Sequence, residues 1–172
     1  MFYRPHLQAL WILALVAHYP IRAETAVLEC TADTWVRTQS TAENGPARAL
    51  KVQGRKEFAL LRFRTAAIEG WNVSKATLWL HPLGTPAQRL RIAAAVTDWN
   101  EGEAPKIALR PGRAFRATRL EGGWITIALD PALASSPKGL ILTGADSKPY
   151  QFDSRETVGH APYLVVEGAR TR

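Results

Sequence analysis

The sequence predicts an all-β fold, a β-sandwich of about eight to ten short antiparallel strands. Three observations predict it. Apolar residues recur with period two, and amphipathic helical stripes are nearly absent. Turn residues, such as Asn44-Gly45-Pro46 and the pair Pro82 and Gly84, cut the chain into short apolar segments. No linker, internal repeat or low-complexity segment interrupts the pattern, and short strands at this density bury their apolar faces most economically as two packed sheets.

The N-terminus stands apart from that pattern. Arg4 is its first charge, and the apolar stretch Leu7–Ala17 (LQALWILALVA) is followed by Pro20 and the small residue Ala23. A basic start, a short apolar stretch and a small residue before a polar segment predict a secretory signal over Met1–Ala23, cleaved after Ala23. The stretch is well short of the roughly 20 residues that cross a bilayer. The expected product is therefore one domain over 24–172, with no transmembrane segment, secreted or held in the periplasm or at the cell surface.

The strands follow in order. Ala26–Thr31 and Thr34–Val36 form an opening strand or pair, followed by Ala49–Val52, Phe58–Arg64 (FALLRFR) and Ala76–His81 (ATLWLH). Leu90–Val96 contains three alanines, but its β-branched ends and its alternation with Arg89 and Arg91 predict a strand. Asn100–Gly123 is polar and rich in proline and arginine, and reads as a long loop with one short strand around Lys106–Leu109. Trp124–Leu129 is a strand, and Asp130-Pro131 opens a short helix through Ala134 because an acceptor side chain precedes a proline. Gly139–Thr143, Tyr150–Asp153 and Tyr163–Glu167 complete the set, before a frayed basic tail from Gly168.

The chain holds 22 Lys and Arg against 15 Asp and Glu, a formal net charge of +7. The predicted signal removes only Arg4 and Arg22 from that excess. In an exported protein the excess argues against nucleic acid and for acidic glycans, an anionic wall or simple solubility. The single cysteine, Cys30, has no internal disulfide partner and reads as a small buried side chain.

The succession of strand motifs is itself informative. Ala32-Asp33-Thr34-Trp35-Val36, Leu60-Leu61-Arg62-Phe63, Ala76-Thr77-Leu78-Trp79-Leu80, Trp99 before Asn100-Glu101-Gly102, and Gly139-Leu140-Ile141-Leu142 occur in this order. Phe152-Asp153-Ser154-Arg155-Glu156 and Pro162-Tyr163-Leu164-Val165-Val166 close the series. From Ala32 to Glu167 this resembles the DNRLRE-type domain, a jelly-roll family of secreted and cell-surface proteins. Some members are carbohydrate-binding modules attached to polysaccharide-degrading enzymes. The chain departs from the family pattern at Arg64, at Glu43-Asn44-Gly45 and at Ala161-Pro162-Tyr163.

An eight-strand jelly roll in which successive strands alternate between sheets implies a definite partition. One sheet would hold Ala49–Val52, Ala76–His81, Gly139–Thr143 and Tyr163–Glu167. The other would hold Phe58–Arg64, Leu90–Val96, Trp124–Leu129 and Tyr150–Asp153. Side-chain alternation then sends Leu61, Phe63, Leu78, Leu80, Leu90, Ile92, Ile125, Ile127, Leu140 and Leu142 inward. It sends Arg62, Arg64, Arg89 and Arg91 to one outer face, where their planar forks suit carboxylates. Trp79 points outward from the opposite sheet, beside His81 and near Lys51, and Trp71 lies in a turn. The candidate ligand-binding residues are thus Arg62, Arg64, Trp79, His81, Arg89 and Arg91. Arg62 also has a structural reading, an ion pair to Glu156 or Asp153. Trp35, Trp99 and Trp124 read as packing, and Ser154-Arg155-Glu156 as a turn.

Catalytic signatures are missing. Downstream of the predicted signal only His81 and His160 remain, in different segments, and no serine elbow or paired-cysteine spacing occurs. A lyase would have to use Arg62, Tyr150 and His81. No catalytic residue, metal ligand or cofactor is assigned, although a structural calcium could draw on Asp98, Asn100 and Glu101. The expected function is a non-catalytic carbohydrate-binding module for an acidic polysaccharide such as a uronate polymer. The alternative is an envelope assembly module that binds a protein partner through an apolar patch around Trp79 and Trp71.

Overall fold

The computed structural model describes residues 23–38, 47–101 and 112–171. The predicted signal up to residue 22, the Asn44-Gly45-Pro46 turn and the Lys106–Leu109 strand lie outside them. Ten strands are present among the described residues: β1 (Glu24–Arg37), β2 (Ala49–Gln53), β3 (Glu57–Phe63), β4 (Trp71–Leu80) and β5 (Arg89–Ala94), then β6 (Arg113–Arg119), β7 (Ile125–Leu129), β8 (Leu140–Gly144), β9 (Pro149–Asp153) and β10 (Tyr163–Arg170). The one α-helical turn among the described residues, α1 (Pro131–Ala134), begins where Asp130 Oδ1 accepts the Ala132 amide at 3.2 Å. No helix among the described residues is long and apolar enough to cross a membrane.

All strand pairings are antiparallel. Neighbours run β1-β10-β4-β7-β6-β5-β8-β3, and β3 pairs back to β1, so eight strands close a ring. The β2–β9 ribbon is attached to it through the tight turn from Gln53 to Glu57. The ring has two faces, because β1 and β6 each belong to both sheets. Residues Glu24–Glu29 of β1 pair with β10, and Cys30–Arg37 pair with β3. Arg113–Arg116 of β6 pair with β5, and Ala117–Arg119 pair with β7. The expected sandwich is therefore closed at both edges.

The partition between sheets differs from strict alternation. β2 and β8 do not join β4 and β10, and β7 pairs with β4 instead of joining β3 and β5. Alternation assumes that every connection crosses the sandwich. Here β2–β3 and β5–β6 are joined within one sheet, and β6 then carries the chain across by bending within a single strand. That strand occupies part of the segment expected to be a loop. Its outward positions are Ala114, Arg116 and Thr118, while Phe115 is its only large apolar inward side chain and Arg113 and Arg119 share that parity, so its period-two signal is faint.

The ten side chains expected to face inward are all buried in one cluster between the sheets. A second, smaller cluster lies on the other face of β3 and β8, where Phe58, Leu60 and Ile141 pack with Val36, Ala95 and Trp99. The segment leading to Trp99 covers that face. It is held by the Ala95 amide on Gly139 O at 2.8 Å and by Trp99 Nε1 on Lys138 O at 2.8 Å. β3 is thus buried on both faces, which explains its nearly continuous apolar sequence.

Two bulges set which residues share a face. Thr31 is the extra residue of β1 between Cys30↔Phe63 and Ala32↔Arg62, at the point where β1 changes sheet. Ser74 is the extra residue of β4 between Lys75↔Glu167 and Val73↔Gly168, and its hydroxyl donates to Glu167 O at 3.1 Å. A bulge reverses the side-chain alternation beyond it. Trp71 and Val73 therefore pack against the core, while Trp79 stands on the outer face. Trp71 opens β4 and is not in a turn, and no shared patch with Trp79 forms.

Leu142 lies fully buried on β8, between β3 and β5. Leu142→Ala is expected to lower the unfolding free energy by about 2–5 kcal/mol, measured by urea denaturation.

Candidate functional site

The candidate arginines separate into two kinds. Arg62, on β3, lies under the covering segment: its Nη2 donates to Trp99 O at 2.6 Å and its guanidinium sits 4.6 Å from the Trp99 ring centroid. The expected pairing with Glu156 or Asp153 is not made, because Glu156 faces Arg155 and Asp153 faces His81. Arg64 reaches Glu29 at 3.4 Å, an exposed ion pair of small energetic value.

Arg89 and Arg91 project outward from β5. In register, Arg89 lies directly opposite Arg116 of β6, and Arg91 opposite Ala114. Arg91 Nη1 donates to Gly112 O at 3.3 Å. Neither Arg89 nor Arg116 pairs with a carboxylate among the described residues, and both are exposed. They border an open depression of about 630 Å³ lined by Gln88, Arg89, Ala114, Arg116 and Ala117. Like charges directly opposite on a ladder repel, so this pair costs stability unless an anion lies between them. Arg116 was missed in the sequence because it fell in the expected loop; only the β5–β6 register reveals its neighbour.

The other sheet carries an aromatic group. Trp79 on β4 lies opposite Tyr163 on β10, with ring centroids 5.3 Å apart and planes 15° from parallel. Trp124 meets Trp79 edge-on at 6.2 Å and Tyr163 at 5.4 Å, so Trp124 joins this outer group. His81, just beyond β4, meets Trp124 at 5.4 Å and stacks on His160 at 3.8 Å. Lys51, expected near Trp79, instead sits 4.5 Å over the ring of Trp35. The rows Tyr163↔Trp79↔Thr126↔Thr118 run across four strands to β6, on the face that Arg116 continues two residues earlier. With strands about 4.8 Å apart, Trp79 is about 10 Å from Thr118. Arginine depression and aromatic group therefore follow one curved outer surface.

Between the covering segment and the Ser154–Glu156 turn lies a charged network. Arg155 binds Glu101 bidentately at 2.8 and 2.6 Å, the Asp33 amide donates to Glu101 Oε1 at 2.5 Å, and Asp33 Oδ2 accepts the Arg155 amide at 2.6 Å. Glu101 is thus engaged by protein donors, and Asp98 faces Lys138 at 3.3 Å. Burial pushes the Asp33 carboxyl up to about 7, with the Arg155 amide opposing and the Glu101 charge reinforcing the shift. Burial also raises Glu101, but hydrogen bonds from Arg155 and the Asp33 amide outweigh it and hold that group below its usual range. The Cys30 thiol is pushed well above the ordinary thiol range by burial and the Asp33 charge, which disfavours its thiolate.

A family model for carbohydrate-binding module family 96 matches residues 24–168, and the chain belongs to that family. No curated protein matches it. The class agrees with the carbohydrate-binding expectation drawn from the strand motifs, and the family is generally non-catalytic.

The network gives two opposing limbs of pH dependence. The folded Asp33 carboxyl, raised to about 7 from 3.8, holds its proton more tightly than in the unfolded chain. Its contribution is full below about pH 4 and is lost as the pH rises through 7. The depressed Glu101 contributes above its ordinary 4.5 and loses that contribution as the pH falls. Urea midpoints measured across pH are expected to show Asp33→Asn flattening the decline between pH 4 and 7, and Glu101→Gln flattening the decline on the acid side.

Proposed function

We propose that the chain is an exported, non-catalytic module that holds an acidic polysaccharide such as a uronate polymer. The observation that carries this reading is the opposed pair Arg89 and Arg116, exposed beside an open depression and without a carboxylate partner among the described residues. A polymer carboxylate would relieve their mutual repulsion and accept the fork of either guanidinium. Arg91 lies one outward position along β5 and offers a further cation. Trp79, Trp124 and Tyr163 supply apolar ring surface farther along the same outer face, at a spacing that an extended chain of several sugar units could span. Arg62 contributes through packing, since Trp99 occupies it, and Arg64 belongs with Glu29.

Binding through exposed cations weakens as salt screens them, the Debye length falling from about 10 Å at 0.1 M to about 3 Å at 1 M. Affinity electrophoresis of the full chain in gels containing a polyuronate is expected to show retardation that fades with added salt. Arg89→Ala combined with Arg116→Ala is expected to weaken binding at least tenfold while leaving the urea midpoint unchanged or higher. Equal retardation by a neutral glucan, or binding indifferent to salt, would overturn the acidic-polymer reading.

A further inference from the structure

We propose that His81, His160 and Asp153 form a binding site for a divalent transition-metal ion with zinc-like ligand preference. His81 Nδ1 lies 2.7 Å from Asp153 Oδ2, and His160 Nδ1 lies 3.3 Å from the same oxygen. The three candidate donor atoms all fall within 4.8 Å of one another. Zinc bonds to imidazole nitrogen and carboxylate oxygen of about 2.0–2.2 Å place tetrahedral donors about 3.3 Å apart. The two nitrogen-to-oxygen separations already approach that spacing.

Two of the three ligands are held by the backbone. The Asp153 amide donates to His81 O at 2.9 Å, and the neighbouring Pro82↔Phe152 bridge continues the pairing. Gly123 packs against the far side of the His81 ring: a Cβ there would lie 2.9 Å from His81 Nε2. The ring is therefore confined with Nδ1 toward Asp153. The third ligand has room to adjust, since the His160 side chain is 44 % exposed and follows Gly159, whose φ is 81°.

That freedom matters. The two rings stack within 11° of parallel, so the in-plane lone pairs of the two Nδ1 atoms lie in nearly parallel planes. A single ion needs the nitrogens to converge, so His160 would tilt out of the stack on binding while His81 and Asp153 stay in place. The donor chemistry selects the ion: calcium and magnesium take all-oxygen shells, whereas mixed imidazole and carboxylate sets suit zinc, nickel and copper. Three protein ligands would leave one vertex of a tetrahedral ion without a protein donor; the Trp124 ring lies nearby, its centroid 5.4 Å from that of His81 and 6.0 Å from that of His160.

The test is calorimetric titration of the chelator-treated full chain with zinc chloride, with calcium chloride as comparison. One zinc ion per chain with a dissociation constant in the micromolar range or tighter is expected, with no calcium uptake, and melting should rise with zinc concentration. His160→Ala, at an exposed turn position, should weaken zinc binding at least tenfold and leave the melting of the metal-free chain unchanged; His160→Gln is the second variant should that one fold poorly. Absence of zinc uptake by the wild-type chain, or uptake unaffected by both His160 variants, would overturn the site. Neither outcome depends on polysaccharide binding, which the arginine variants test separately.

Discussion

The surface of this domain is governed by the two strands that serve both sheets. β1 and β6 each leave one sheet partway along their length and pair in the other, so neither sheet ends in an open ladder there. Closure removes unpaired backbone donors and acceptors that would otherwise invite edge-to-edge association. It also requires each crossing strand to turn a corner, which β1 does with the extra residue Thr31. β6 turns its corner between Arg116 and Ala117, and so carries one outer face from the arginine depression toward the aromatic group. A flat sandwich with free edges would leave these two features on unrelated surfaces.

Burial of β3 on both sides determines which arginines remain available. Trp99 covers the outer face of β3 and β8, and the half-buried Arg62 lies against it with a hydrogen bond and a ring contact. Covering that face uses Arg62 in packing and leaves Arg89, Arg91 and Arg116 among the outward charges of the same sheet. The Asp33–Glu101–Arg155 network fastens the far end of the covering segment, joining β1 to the turn after β9 through one bidentate ion pair and two backbone amides. Such a network is a stable anchor because its donors and acceptors satisfy one another. The same burial makes it responsive to pH, through the raised carboxyl of Asp33.

The ring stack of His81 and His160 results from chain crossings far apart in sequence. His81 directly follows β4, Asp153 ends β9, and His160 sits on the turn that leads into β10. In the sequence the two histidines lie in different segments, 79 positions apart, with no local signal that joins them. Their meeting requires β9 to run alongside the residues after β4, a contact made by backbone pairing at Pro82 and Phe152. Arg116 repeats the lesson. Its strand has one large inward side chain, so its period is weak, and its cross-strand neighbour follows from pairing alone.

What the amino-acid sequence determined by itself was local and periodic. Alternation located nine of the strands and all ten core side chains named in advance, because the burial of one strand face is written into every second residue. Asp130-Pro131 likewise announced α1, because a cap and a fixed φ act within one turn. The tertiary structure decided the rest. It chose which strands share a sheet, which face Trp71 takes beyond the Ser74 bulge, and which arginines are covered. Those outcomes depend on register and strand crossing, and both are set by contacts between residues that the chain separates by dozens of positions.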